Sequence, residues 1–230
     1  MTRGILIAGN QSPLFSAASA EALKRVEHFA SAHIPNRFPL PDGGVPPEAR
    51  AAKGAFPLSW NPASPISART LVVAAENRLR QISDAIVICS PPAVFKTAET
   101  LTPEDIDVLV NDHIKGWFFL IRELSLYFRR RGAGSLSLIA PEIALDGGAG
   151  AGNKSAPADI AGPSAAASFR AFAQGVLASQ SGGPFQTFGF TAAETGSEGD
   201  FAAWFFKIID EGAGKNSGRW HKYPRLKIFR

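Results

Sequence analysis

The chain has 230 residues, of which 45% are hydrophobic and 19% charged, with a formal net charge of +4. That length and composition allow one substantial core and predict a single domain. A single cysteine, Cys89, excludes an internal disulfide and fits a reducing compartment, so a cytoplasmic location is expected, and the longest apolar runs, such as Trp117–Ile121, fall far short of the ~20 residues that span a bilayer.

In chain order, Gly4-Ile5-Leu6-Ile7-Ala8-Gly9 reads as a first strand, too short for the apolar region of a signal peptide. Leu23, Val26 and Phe29 recur at helical spacing, which predicts a helix over Leu14–Ala32. Residues 33–67 hold many of the prolines, so a second strand near Arg37–Leu40 must be short, and Gly54–Trp60 is the better candidate for a third. A helix over Ser67–Gln81 leads into Asp84–Cys89, an apolar, β-branched run of the kind found in strands buried on both faces. Thr102-Pro103-Glu104-Asp105 is a helix start, with a cap, a proline in the first turn and acids favoured by the helix dipole; the pattern continues to Arg131 and stops at Gly132-Ala133-Gly134. Ser135–Ala140 is a fifth strand, Gly147–Pro163 a loop, Ser164–Ser179 an alanine-rich helix, Phe185–Thr191 a sixth strand and Asp200–Glu211 a last helix.

Residues 215–230 hold Lys215, Arg219, Lys222, Arg225, Lys227 and Arg230 and no acid, which leaves the rest of the chain slightly acidic. The organisation read from this is a domain over residues 1–214 and a basic strand or tail over 215–230 that packs on the domain or on a sister subunit. An anionic partner is the alternative for the tail, and nucleic-acid binding, resting on six cations alone, is not expected. The alternation of strand and helix predicts an α/β fold, a doubly wound parallel sheet with ligands at the carboxyl ends of its strands.

Several stretches, in the right order, resemble the short-chain dehydrogenase/reductase family and together cover nearly the whole chain. Thr102–Ile106 through His113-Ile114-Lys115-Gly116 resembles that family's helix ending in Asn-x-x-Gly. Arg129–Leu136 is similar to its entry into strand five, Phe169–Ala173 to the helix that carries the catalytic tyrosine and lysine, and Asn216-Ser217-Gly218-Arg219-Trp220 to the turn into its last strand. The resemblance implies a single-domain Rossmann-like sheet of order 3-2-1-4-5-6-7, a nicotinamide cofactor, and a dimer or tetramer built on the helices matching 102–131 and 164–179.

The functional segments depart from that pattern. Where the family reads Thr-Gly-x-x-x-Gly-x-Gly, this chain reads Ala8-Gly9-Asn10-Gln11-Ser12-Pro13-Leu14-Phe15. Only Gly9 matches, as the one weak cofactor-binding candidate; Pro13 lacks an N–H, and Phe15 puts a ring where bare backbone is wanted. Cys89-Ser90-Pro91-Pro92 replaces Asn-Asn-Ala-Gly, Asn61 replaces an aspartate, and no acid stands about 20 residues past Gly9 on a convincing strand end as a ribose partner; Arg37 is a candidate to face a 2′-phosphate, with a solvated arginine as the alternative. The family's serine, asparagine, tyrosine and lysine fall on Pro141, His113, Gly162 and Ala166. No alignment shift supplies the proton donor, because no tyrosine lies between Tyr127 and Tyr223 and Lys154 is the only lysine between Lys115 and Lys207. Tyr223-Pro224-Arg225-Leu226-Lys227 has the tyrosine–lysine spacing but lies in the tail.

Elsewhere the histidines are scattered with no metal-ligand spacing, and there is neither a nucleophile elbow nor a P-loop. His113 is a candidate proton donor or relay, and Glu142 with Asp146 a candidate carboxylate pair at the rim beyond strand five. Two functions remain open: a non-catalytic oligomeric interaction or ligand-sensing protein that binds no cofactor, and an NAD(P)-dependent oxidoreductase with a non-standard acid.

Overall fold

The computed structural model describes residues 2–34, 54–91, 94, 96–142, 159–192, 196–212 and 216–224. Seven strands, β1 (Ile5–Asn10), β2 (Phe29–Ile34), β3 (Ala55–Leu58), β4 (Asp84–Ile88), β5 (Ser135–Ala140), β6 (Gln186–Thr191) and β7 (Arg219–Lys222), form one sheet of order β3-β2-β1-β4-β5-β6-β7. Every pairing is parallel, with Gly9 opposite His33 on one side of β1 and opposite Ile88 on the other. This is the expected sheet and the expected strand order.

Among the described residues six α-helices flank it: α1 (Pro13–Ala22), α2 (Pro65–Leu79), α3 (Pro103–Val110), α4 (Gly116–Arg131), α5 (Ala161–Ser179) and α6 (Glu198–Glu211). The core is split by the sheet. Leu6, Ala8, Val87 and Leu138 pack with Leu71, Trp117, Leu124 and Phe169 beneath α2, α4 and α5. Ile5, Ile7, Ile86 and Ile139 pack on the other face with Phe15, Phe201, Phe205 and Phe206 of α1 and α6. Because both faces are covered, β1, β4 and β5 are buried at every residue, which is why their sequences are apolar without alternation.

The first helix is shorter than its spacing predicts. α1 ends at Ala22, and Phe29–Ile34, placed by the sequence pattern at the end of that helix, is instead the second strand. Alanine and serine suit a helix locally, but Phe29, Ala30, Ser31 and Ala32 sit in a pleat covered on both sides, where small side chains let α1 and α2 approach. The expected short strand at Arg37–Leu40 lies outside the described residues, as do residues 147–158 of the loop expected at Gly147–Pro163, whose last three residues, from Ala161, are instead the start of α5. The long helix expected from Thr102 to Arg131 is interrupted by a π turn at Asn111–Lys115. Its start is as expected: the Thr102 hydroxyl accepts from the Asp105 N–H (3.2 Å) and the Asp105 carboxylate accepts from the Thr102 N–H (2.9 Å). At the amino end of the sheet, Asp84 joins Arg3 (2.6 Å) and Ser135 (2.6 Å), while Asp210 of α6 pairs with Arg3 (2.6 Å) and Arg25 (2.7 Å), an ionic tie far from the strand ends where ligands bind in this architecture.

Candidate functional site

The strand order reverses between β1 and β4, so the crevice beyond their carboxyl ends is the place a doubly wound sheet offers a ligand. The turn from β1 into α1 forms its floor. Ser12 caps α1, its hydroxyl accepting from the Phe15 N–H (3.1 Å) while its carbonyl accepts from Ser16 (3.1 Å), and Pro13 has no N–H to offer. At this helix start the Phe15 and Ser16 amides are thus bonded within the chain and Pro13 contributes none, which thins the set of donors that would face a phosphate. Gly9 lies inside β1 rather than in a flexible loop, and a Cβ there would stand 2.9 Å from the Ile88 carbonyl oxygen and 3.1 Å from the Phe15 ring. Its glycine serves close packing. Phe15, 4% exposed, fills the space above it and meets the His33 ring at 4.3 Å between centroids.

His33 is the site residue that sequence reasoning missed. It stands near the carboxyl end of β2, 24 positions after Gly9, where a ribose partner is sought, and it was hidden by the assignment of Leu14–Ala32 to one helix. Burial lowers its pKa below the usual imidazole value, and its Nδ1 is buried without a hydrogen-bond partner among the described residues. Arg37, the candidate for a 2′-phosphate, lies outside the described residues.

The other departures also close on themselves. After β3, the Asn61 side chain accepts from the Ala63 N–H (3.0 Å) and the Asn61 N–H donates to Ser67 (2.7 Å), so the residue builds its own turn. Pro62 then packs so tightly on Gly116 that a Cβ at Gly116 would stand 2.6 Å from it. After β4, the Ser90 N–H donates to the Asn10 side chain at 3.4 Å, bridging the ends of β1 and β4. Cys89 is buried, and burial pushes its thiol pKa up, so it is no thiolate nucleophile at neutral pH.

His113 falls within the π turn, packed toward α5, where the resemblance expects a helix-kinking asparagine. It is fully buried, and burial pulls its pKa down to about 4. At pH 7 such an imidazole is protonated in about one molecule in a thousand, which makes it a scarce proton donor. Gly162 and Ala166, at the tyrosine and lysine positions, are both buried at the start of α5, with the Gly162 N–H held by the Asp159 carboxylate at 3.0 Å. Beside them Val94 and Ala161 form a small apolar cluster with Leu101, Val108 and Leu109. Both tyrosines are engaged elsewhere: the Tyr127 hydroxyl accepts from the Ile82 N–H (2.9 Å) ahead of β4, and Tyr223 packs on Phe201 and Trp204. Glu142 lies past β5 with Lys222 at 3.9 Å, and Asp146, Lys154 and Lys227 lie outside the described residues. Among the described residues no three histidine, cysteine or acidic side chains gather as a metal site, and no helix is long and apolar enough to cross a membrane.

A nicotinamide dinucleotide is the group this architecture suggests, and the residues at the first turn do not fit one: Pro13 has no N–H, the Phe15 N–H is held by the Ser12 hydroxyl, and the Phe15 ring packs on Gly9 and His33. No protein-family model and no curated protein sequence matches the chain. Solved structures do match along nearly its whole length. A short-chain dehydrogenase/reductase from Serratia marcescens shares 10% identity, with 96% of each chain covered and a TM-score of 0.68. The NADH-dependent reductase A1-R′, in its complex with NAD, shares 12% identity over 96% of this chain and 94% of that one, with a TM-score of 0.72. An apo SCOR enzyme from Clostridium thermocellum shares 14% identity over 96% and 91% of the two chains, with a TM-score of 0.67. At these identities the likeness is one of fold: the chain has the short-chain dehydrogenase/reductase fold.

Proposed function

We propose that this protein keeps the short-chain dehydrogenase/reductase fold without its dinucleotide-dependent redox chemistry, and acts as an oligomeric interaction or ligand-sensing protein. The observation that carries this reading is the Phe15 ring, packed on Gly9 near the carboxyl end of β1 and on His33 near the carboxyl end of β2. It is supported by glycine and alanine at the tyrosine and lysine positions and by the low pKa of His113, which weighs against an imidazole replacing the missing acid. For assembly we favour a homodimer or homotetramer through α4 and α5. Phe118 and Phe172 stack at 3.9 Å between these helices while only partly buried, and Leu126 is 43% exposed.

Calorimetric titration with NADH and with NADPH tests the reading. The expected result is no saturable heat with either nucleotide and no rise in the thermal midpoint. Binding in the micromolar range would overturn it and favour the NAD(P)-dependent oxidoreductase. Sedimentation tests the assembly, which a monomer at micromolar concentration would refute.

A further inference from the structure

We propose that the amino end of the sheet carries a docking surface for an acidic peptide segment of a partner protein, formed by arginines at the ends of α2 and α4. The surface stands at the opposite end of the strands from the crevice, so it goes beyond the reading above and is tested apart from it. α2 and α4 pack against each other, and their ends carry Arg78 and Arg80 on one side and Arg129, Arg130 and Arg131 on the other. Arg131 ties the two ends together, donating to the Gln81 side chain (2.6 Å) and to the Ile82 carbonyl. Arg129 extends the row to the end of α5 by donating to the Gln180 side chain (3.2 Å).

Two observations set these arginines apart from ordinary surface charge. The first is that no carboxylate lies within ion-pair distance of any of them among the described residues, although Arg3 and Arg25 at the same end of the sheet are each paired, with Asp84, Asp210 and Glu21. Like charges gathered without partners repel one another, and an acidic ligand removes that repulsion. The second is Arg80 itself, the one described non-glycine residue with positive φ, at 65°. Glycine would take this C-terminal turn without strain, so an exposed arginine held there points to a use for its side chain.

The surroundings select a peptide among acidic partners. Guanidinium forks match carboxylates in bidentate geometry. The last turn of α4 is closed by the Gly132 N–H on the Phe128 carbonyl (2.9 Å), whereas the Arg80 N–H makes no such bond to α2 among the described residues. A peptide brings both carboxylates for the arginines and N–H donors for those helix-end carbonyls, while a phosphate backbone brings acceptors alone. None of the exposed large apolar side chains lies among these residues, so the surface has no anchor for a bilayer.

The test uses the full chain and a fluorescent hexaglutamate peptide, followed by anisotropy at low ionic strength. The parent protein should bind it saturably. Arg80→Gly, which removes a charge and relieves the backbone, should unfold at a midpoint equal to or above the parent's and yet bind about threefold more weakly. Arg130→Gln, on the exposed side of α4, should also weaken binding about threefold, and the two together about tenfold. Lys24→Gln, which removes an exposed cation already paired with Glu21 at the same end of the sheet, should leave the affinity unchanged. A parent that does not bind the peptide overturns the proposal, as does an equal loss in Lys24→Gln, which would reduce the effect to overall charge. A lowered midpoint for Arg80→Gly overturns the argument from strain. Tighter binding of a DNA duplex or of phosphatidylserine vesicles than of the peptide overturns the choice of partner.

Discussion

The burial of His113 makes a pH dependence that can be worked through. Its side chain is fully buried at the π turn and its pKa is about 4, against about 6.5 for an exposed imidazole in the unfolded chain. Above pH 6.5 the imidazole is neutral in both states and the stability it allows is fully present. As pH falls from 6.5 toward 4 the unfolded chain binds a proton that the folded chain refuses, so stability is lost at up to about 1.4 kcal/mol per pH unit. Below pH 4 both states are protonated and the loss levels off at about 3 kcal/mol. Between pH 7 and pH 5, where few carboxylates titrate, the loss is about 2 kcal/mol from this residue alone. His33, lowered in the same direction, adds to it in the parent and in any variant that leaves it intact. The assay is urea unfolding at both pH values followed by tryptophan fluorescence, for the parent protein and for His113→Gln. The parent should lose about 2 kcal/mol more than the variant over that interval, whatever their absolute stabilities. Equal losses would refute the reasoning, as would an NMR titration placing the His113 pKa at or above 6.

Three further outcomes follow from the geometry. Gly9→Ala drives a methyl against the Ile88 carbonyl and the Phe15 ring and should lower stability by about 1–3 kcal/mol in chemical denaturation, where a neutral effect would show that β1 and β4 can part. Tyr127→Phe removes the acceptor of the buried Ile82 N–H and should cost about 1–3 kcal/mol, with no change in any ligand binding at the crevice, since it lies far from it. Ser12→Ala uncaps α1 by leaving the Phe15 N–H without its acceptor and should cost about 1 kcal/mol in chemical denaturation, where a neutral effect would show that the cap adds nothing to the fold.

The parts of the fold legible in the sequence were those whose signal is local. The Thr102–Asp105 capping box marked the start of α3, Gly132 in its left-handed conformation marked the end of α4, and the apolar runs of β4 and β5 marked strands buried on both faces. What was missed depends on tertiary context. Phe29–Ile34 contains two alanines and a serine, suited locally to a helix, and only its place between β1 and β3 makes it a strand. That one misassignment hid His33, because a residue gains meaning at a strand end only once the strand is known. The π turn carries no sequence pattern of its own, and the burial and low pKa of His113 within it come from the packing of that turn against α5.

The departures at the crevice differ in kind from the loss of one catalytic group. A site that has merely lost its acid would keep the donors and the space its cofactor uses. Here the donors and side chains at four separate segments are bonded within the chain: Ser12 to the Phe15 amide, Asn10 to the Ser90 amide, Asn61 to the Ala63 amide and Asp159 to the Gly162 amide. Each of these bonds leaves one fewer buried or cap-position N–H in need of an outside partner, and the Phe15 ring adds apolar contact with Gly9 and His33 at the ends of β1 and β2.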